Sequence, residues 1–251
     1  MVAPLRVGVI GVGYLGRFHA EKYAHLQETD LVGVADLNEA QAREVAGALG
    51  AEAYGDYREL LPKVSAVSIA VPTSLHFEVV RDALKAGCQV LVEKPISVTV
   101  AEADSLVRLA RERGRILMVG HLERFNSAME ELKSRVHGPR FIESHRLAFF
   151  KERGTDVDVV LDLMIHDLDH VLSLVQAPVQ EIRAAGISVL TDRIDLANAR
   201  LEFGDGCIAN LTASRMSFKS MRKFRLFQTD AYLAVDFEDR ELTVAFKKEG
   251  A

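Results

Sequence analysis

A chain of 251 residues has room for one or two domains, and two is the better reading; 49% apolar and 27% charged residues is ordinary globular composition, which excludes disordered and fibrous classes. The formal net charge of −5 gives no general attraction to polyanions, so nucleic-acid binding would need a strong local basic patch. The one cluster of that kind, Lys219, Arg222, Lys223 and Arg225, reads as a solvated strand flank.

From Leu5 to His121 short β-branched runs alternate with longer amphipathic ones, the pattern of a parallel sheet covered by helices. Strands are expected at Leu5–Gly11, Leu31–Asp36, Ala66–Pro72, Gln89–Glu93 and Ile116–Gly120, and helices near Leu15–Gln27, Glu39–Leu49, Leu75–Ala86 and Ala101–Arg113. Asn38 with Gln41, and Thr99 with Glu102, have capping-box spacing. Gly11-Val12-Gly13-Tyr14-Leu15-Gly16 lies between the first strand and the first helix, the context that makes a glycine fingerprint informative. The first glycine permits a tight turn, the second admits a pyrophosphate and the third lets helix and strand pack closely, with Tyr14 and Leu15 between them at the helix start. Asp36 ends the second strand about twenty residues on, where a carboxylate binds ribose hydroxyls and repels a 2′-phosphate; this favours NAD over NADP.

Beyond Gly120 the pattern changes. A helix is expected at Glu123–Arg135, an extended run at Phe141–Phe150 and a second helix at Val159–Val175. Strands follow near Glu181–Val189, Leu196–Phe203, Cys207–Ser214, Phe224–Thr229, Tyr232–Phe237 and Leu242–Phe246, with a turn at Gly204-Asp205-Gly206. Consecutive strands argue for a mostly antiparallel sheet in an α+β domain, so residues 1–121 read as an α/β Rossmann domain and 122–251 as an α+β domain. On the Val159–Val175 helix, Asp162, His166 and Asp169 fall on one face, with Leu161, Met164, Leu168, Val171 and Leu172 on the packing side. His166, His170 and Asp162 have metal-ligand spacing, but no further His or Cys cluster completes a site; no metal is expected, and His170 reads as a helix-surface residue.

Cys88 and Cys207 are far apart in sequence, which suits a reducing compartment. The N-terminus lacks a signal-peptide pattern and no apolar run approaches the roughly 18 residues of a membrane span, so a cytoplasmic protein without a membrane role is expected.

Glu93-Lys94-Pro95 after the fifth expected strand and Asp162-Leu163-Met164-Ile165-His166 on the later helix, taken with the glycine fingerprint, resemble the Gfo/Idh/MocA family over nearly the whole chain. The resemblance implies a second domain with a large open sheet whose exposed face forms a homo-oligomer, a dimer or tetramer. It implies that Lys94, Asp162 and His166 line the substrate pocket, that Val71, Pro72, Thr73 and His76 approach the cofactor, and that Glu93 lies near its ribose. Relatives continue into C-terminal helices, so the end of this sequence at Ala251 raises the expectation that such helices are missing, or that a partner subunit covers the groove they would fill.

The activity so implied is NAD-dependent oxidation of a secondary hydroxyl on a sugar. His166 is the expected general base, Lys94 would polarise the same oxygen, and Asp162, one turn before His166, would orient His166 or Lys94. Glu123-Arg124-Phe125-Asn126 after Gly120-His121, with the segment Leu163–Asp169, looks most like members acting on the 3-hydroxyl of nucleotide-linked amino sugars; Arg124 and Asn126 would then lie near substrate or nicotinamide. Helix-start capping and surface charge are the alternative for those two residues. Inositol or simple-sugar oxidation is the rival activity, and a non-catalytic NAD and sugar sensor is the rival class.

Overall fold

The computed structural model describes residues 3–150 and 157–247. The chain divides into two compact units, Met1–Gly120 and His121–Ala251.

In the first unit six strands, β1 (Leu5–Ile10), β2 (Thr29–Ala35), β3 (Glu52–Tyr54), β4 (Ala66–Ile69), β5 (Gln89–Val92) and β6 (Leu117–Val119), pair in parallel in the order β3-β2-β1-β4-β5-β6. Five helices alternate with them: α1 (Tyr14–His25), α2 (Glu39–Leu49), α3 (Tyr57–Leu60), α4 (Thr73–Lys85) and α5 (Val100–Arg113). Strand order reverses between β1 and β4, so the carboxyl ends of these two strands flank the crevice where a doubly wound sheet takes its ligand. Thr99 and Glu102 close a reciprocal capping box on α5. Asn38 caps α2 through the Gln41 amide at 3.3 Å, but the Gln41 side chain donates instead to the Val12 carbonyl at 2.7 Å and so ties α2 to the glycine loop. Strand β3 is absent from the sequence expectations: three residues at a sheet edge carry too little alternation to reveal a period.

The second unit contains α6 (Ser127–Arg135), β7 (Phe141–Leu147), α7 (Ile165–Leu174) and then β8 (Val179–Ile187), β9 (Leu196–Phe203), β10 (Ile208–Ser214), β11 (Met221–Phe227), β12 (Ala231–Asp236) and β13 (Glu241–Phe246). The sheet order is β13-β12-β11-β7-β10-β9-β8, antiparallel except for the central pair β7 and β10. Alternate residues such as Ile142, Leu211, Phe224, Leu226 and Leu233 form one core with Met129, Leu132, Met164 and Val171 from the helical segments. Three of the four residues of the basic cluster, those on β11, are answered by carboxylates, Lys223 by Asp236 at 3.5 Å, Arg222 by Glu123 at 3.8 Å and Arg225 by Glu143.

Both helices expected in this unit are interrupted. The segment Glu123–Arg135 breaks at Asn126, which is extended and accepts the Ala128 amide at 3.0 Å; a short tight turn over Leu122–Phe125 precedes it and α6 follows. An asparagine side chain competes with the backbone for amide hydrogens, which favours a cap over a helix interior. The segment Val159–Val175 begins with a widened turn, Val160–Met164, in which the Ile165 amide reaches back five residues to the Val160 carbonyl, before continuing as α7. Leu172, assigned from spacing to the packing side, is 54% exposed, because the extra residue in the turn rotates the downstream face. Among the described residues no helix is long and apolar enough to cross a membrane.

Candidate functional site: a cofactor loop and a histidine helix

In the first unit the glycine loop sits at the carboxyl end of β1. Gly11 has φ +83°, and a Cβ there would lie 2.8 Å from the Ala70 carbonyl and the Val71 amide nitrogen; at Gly16 it would lie 1.8 Å from the Gly11 oxygen. Both glycines are therefore required by the protein's own packing. A Cβ on Gly13 would meet nothing within 4 Å, so the protein itself gives no reason for a glycine there. Gly13 also precedes the first turn of α1 without supplying any side-chain cap, which leaves amide groups for an outside anion. The Tyr14 side chain is exposed and packs edge-on against Phe18 at 5.3 Å, while Leu15 is half-buried. Asp36 accepts the Val12 amide on one oxygen and the Asn38 amide on the other, both at 2.8 Å. Each oxygen keeps a lone pair for a ribose hydroxyl. These residues could hold NAD, whose pyrophosphate would lie over Gly13 and whose adenosine ribose would meet Asp36.

Beside β1, the segment after β4 carries Val71, exposed Pro72 and buried Thr73 into α4. His76 on α4 is 1% exposed, with Nδ1 2.6 Å from the Pro95 carbonyl oxygen and Nε2 3.0 Å from the Val71 carbonyl oxygen. Its ring thus holds backbone in place. Glu93, 6% exposed, accepts the Lys94 amide at 3.3 Å and meets His19 Nε2 at 3.0 Å, while His19 Nδ1 lies 2.5 Å from the Ser68 hydroxyl. Lys94 itself is half-buried, between two residues that the protein grips.

In the second unit Asp158 caps the widened turn by accepting the Val160 and Leu161 amides, each at 3.0 Å. Asp162 lies within that turn and His166 one turn later in α7, both half-buried. Widened turns of this kind recur at functional sites. Asp169 is buried and takes two hydrogen bonds from Arg124, at 2.6 and 2.5 Å, with His121 Nδ1 3.9 Å away. Asn126 caps α6. Asn126 therefore acts as the cap offered as its alternative, whereas Arg124 is not a plain surface charge but is paired with buried Asp169.

His170 is fully buried, which corrects its reading as a surface residue; it stacks on Phe237 at 5.1 Å, meets Phe224 edge-on at 6.2 Å and lies 4.0 Å from Glu123. The physical reason is a cluster of buried charge that sequence spacing does not reveal. Arg146, 3% exposed, donates to Asp167 at 3.1 and 2.9 Å and to Glu123 at 3.3 and 3.4 Å. Burial would raise the Glu123 carboxyl, but His170, Arg146 and the charge of His166 together hold it well below the usual carboxylate range. Among the described residues no three His, Cys, Asp or Glu side chains are grouped to hold a metal ion.

Residues 5–121 match the Gfo/Idh/MocA family model for an oxidoreductase with an NAD-binding Rossmann fold, and residues 128–234 match the Gfo/Idh/MocA C-terminal domain. The chain is 44% identical over 247 residues to UDP-N-acetylglucosamine 3-dehydrogenase of Acidithiobacillus ferrooxidans, covering 98% of this chain and 78% of that protein. A solved structure of that enzyme superimposes with a TM-score of 0.93 at 43% identity, covering 99% of this chain and 82% of the other. Myo-inositol 2-dehydrogenase of Thermotoga maritima is 30% identical over 98% of this chain and 79% of its own length. With both family domains matched, the chain belongs to the Gfo/Idh/MocA family and is an NAD-dependent oxidoreductase acting on CH–OH groups.

Proposed function

We propose that the protein oxidises the 3-hydroxyl of UDP-N-acetylglucosamine to a 3-keto sugar. The observation that carries this reading is the likeness to UDP-N-acetylglucosamine 3-dehydrogenase along almost the whole chain, well above the likeness to the inositol enzyme. Residues 1–121 are the NAD-binding part and 122–251 the substrate-binding and oligomerising part. NAD bound over Gly13 supplies the hydride acceptor. The chain must handle the hydroxyl proton: His166 takes it, an imidazole being the side chain suited to general-base work, while Lys94 stabilises the developing alkoxide and Asp162 orients the reacting groups. Arg124 uses two of its N–H donors on Asp169, leaving three of roughly five for a diphosphate. We further read the protein as a cytoplasmic homo-oligomer. Its open sheet supports this: the positions alternating with the core bear Phe141, Phe227 and Tyr232, whose rings lie 6.0 and 5.0 Å apart in sequence along the face.

The test is to incubate the protein with NAD and, separately, UDP-N-acetylglucosamine, myo-inositol and glucose while following NADH absorbance. Turnover confined to the UDP-sugar, with a 3-keto product, is the expected result. Preferential turnover of inositol or glucose overturns the substrate, and tight NAD binding without turnover of any sugar makes the protein a sensor. Replacing Lys94 or His166 is expected to lower kcat by about 10²–10⁴-fold while NAD still binds.

A further inference from the structure

The two residues that flank Lys94 are each held by a histidine, and each histidine is anchored to a different part of the cofactor loop system. On one side, His19 from α1, three residues beyond Gly16, meets the Glu93 carboxylate at 3.0 Å. A carboxylate offers only lone pairs, so Nε2 is the donor, and Nδ1 is left to accept from the Ser68 hydroxyl at 2.5 Å on β4. On the other side, His76 from α4 faces the Pro95 carbonyl with Nδ1 at 2.6 Å and the Val71 carbonyl with Nε2 at 3.0 Å; both oxygens only accept, so the one N–H of a neutral ring is assigned to Nδ1 and the shorter contact. Gly120 closes the remaining side of Glu93: a Cβ there would lie 3.3 Å from the carboxylate.

We propose that His19 and His76 are positioning residues for Lys94, clamping Glu93 and Pro95 so that the lysine is held in register with the glycine loop through α1 and with Val71. Neither imidazole is spare packing. His76 is buried with Nδ1 on the Pro95 carbonyl, and His19 bridges buried Ser68 on β4 and buried Glu93 just after β5. Removing either ring leaves a buried acceptor unsatisfied next to Lys94 and frees one end of a two-point support. That Lys94 acts on the substrate rests on the function proposed above; that its position depends on the two histidines does not.

Two readouts separate these claims in the intact chain. The first is the rate at which an amine-reactive reagent labels Lys94, read by peptide mass spectrometry with and without NAD, using the exposed Lys85 as internal control. His19→Ala and His76→Ala are expected to change the Lys94 rate, leaving Lys85 unchanged. The second is kcat, expected to fall about 10-fold to 100-fold with a smaller change in the KM for NAD. Conservative variants discriminate positioning from general packing. His19→Gln keeps a donor at the Nε2 position and restores Lys94 behaviour. His76→Asn keeps a donor at the Nδ1 position, toward Pro95, and restores it, whereas His76→Gln, whose donor falls at the Nε2 position toward Val71, does not; these variants also serve if an alanine variant fails to fold. Wild-type labelling and kcat in folded variants overturn the proposal, as does equal rescue by His76→Asn and His76→Gln. Altered labelling with unaltered kcat keeps the clamp and overturns the catalytic role of Lys94.

Discussion

Asp36 accepts the Val12 amide at 2.8 Å across 24 residues of sequence, so the carboxylate at the end of β2 supports the glycine loop before any ribose reaches it. Its other oxygen takes the Asn38 amide at the start of α2. Asp36→Ala therefore removes the proposed ribose acceptor, a negative charge that would repel a 2′-phosphate and two charge-assisted hydrogen bonds, each worth about 1.5–3 kcal/mol. The expected outcome is a rise of about tenfold or more in the Kd for NAD and a shift in the kcat/KM ratio toward NADP, measured with both cofactors under one buffer.

The three glycines of the fingerprint are expected to separate when each is replaced by alanine. Gly16→Ala forces a Cβ into the Gly11 carbonyl, and Gly11→Ala adds a strained φ to a backbone clash, so both should lower the melting temperature of the apoprotein. Gly13→Ala meets open space within the protein and should leave the apoprotein melt unchanged, while weakening NAD by about tenfold or more, or about 1.4 kcal/mol, because the methyl group occupies the pyrophosphate's approach. Thermal melts and NAD titration of the three variants provide the comparison. A Gly13→Ala protein that binds NAD as tightly as the parent would remove the assignment of Gly13 to the cofactor.

What could be read from the chain follows the range of the interactions involved. Helix α2 was legible to the residue, because Asn38 caps one end and Gly50, at φ +69°, ends the other; β9 was equally clear from its alternation. The glycine loop was legible because its turn chemistry is local. The interrupted helix at 160–174 was not: counting periods assumes one constant pitch, and the widened turn violates it within five residues. His170 was misread for a related reason. Its partners, Glu123, Phe224 and Phe237, come from segments that only tertiary pairing brings to α7, and no spacing rule predicts that Arg146 would neutralise charge beneath it. Likewise His19 and Ser68, 49 residues apart, carry no sequence signal as a pair.

Acid should destabilise the protein through two carboxylates in the second unit. Burial would raise the Asp195 carboxyl, but the amides of Val189, Thr191 and Leu190 and the Thr191 hydroxyl hold it well below the usual range; Glu123 is held low by His170, Arg146 and His166. A depressed folded-state pKa means that the unfolded chain binds more protons at low pH. The stability these groups contribute is thus fully present above their unfolded values, about 3.9 for Asp and 4.3 for Glu, and is lost as pH falls from there toward the folded values. Urea midpoints measured across a pH series should fall below about pH 4.5, and Glu123→Gln should flatten that acid limb while lowering stability at neutral pH. An acid limb unchanged by both Glu123→Gln and Asp195→Asn would assign it to other groups.

Arg146 joins two carboxylates, and its removal is expected to cost more than the loss of either. It is 3% exposed, and burial disfavours its charge, but Asp167 and Glu123 more than compensate, keeping the guanidinium protonated. Arg146→Met preserves much of the side-chain volume but leaves Asp167, 2% exposed, without its guanidinium partner and Glu123 with only the half-exposed Arg222, at 3.8 Å, as an arginine partner. Breaking a buried pair from one side typically costs about 3–5 kcal/mol, because the remaining charge is uncompensated. Replacing all three, Arg146→Met with Asp167→Leu and Glu123→Gln, removes that residual charge and should recover most of the loss, since buried ion pairs exchanged for apolar groups are often neutral in stability. Recovery of activity should not follow. Glu123 feels the charge of His166, and Asp167 directly follows His166 on α7, so the triple variant keeps the fold while altering the electrostatic surroundings of the proposed base. Urea melts of the single and triple variants, paired with kcat for each, check both halves; a triple variant that regains stability and full kcat together would show that the buried charges serve folding alone.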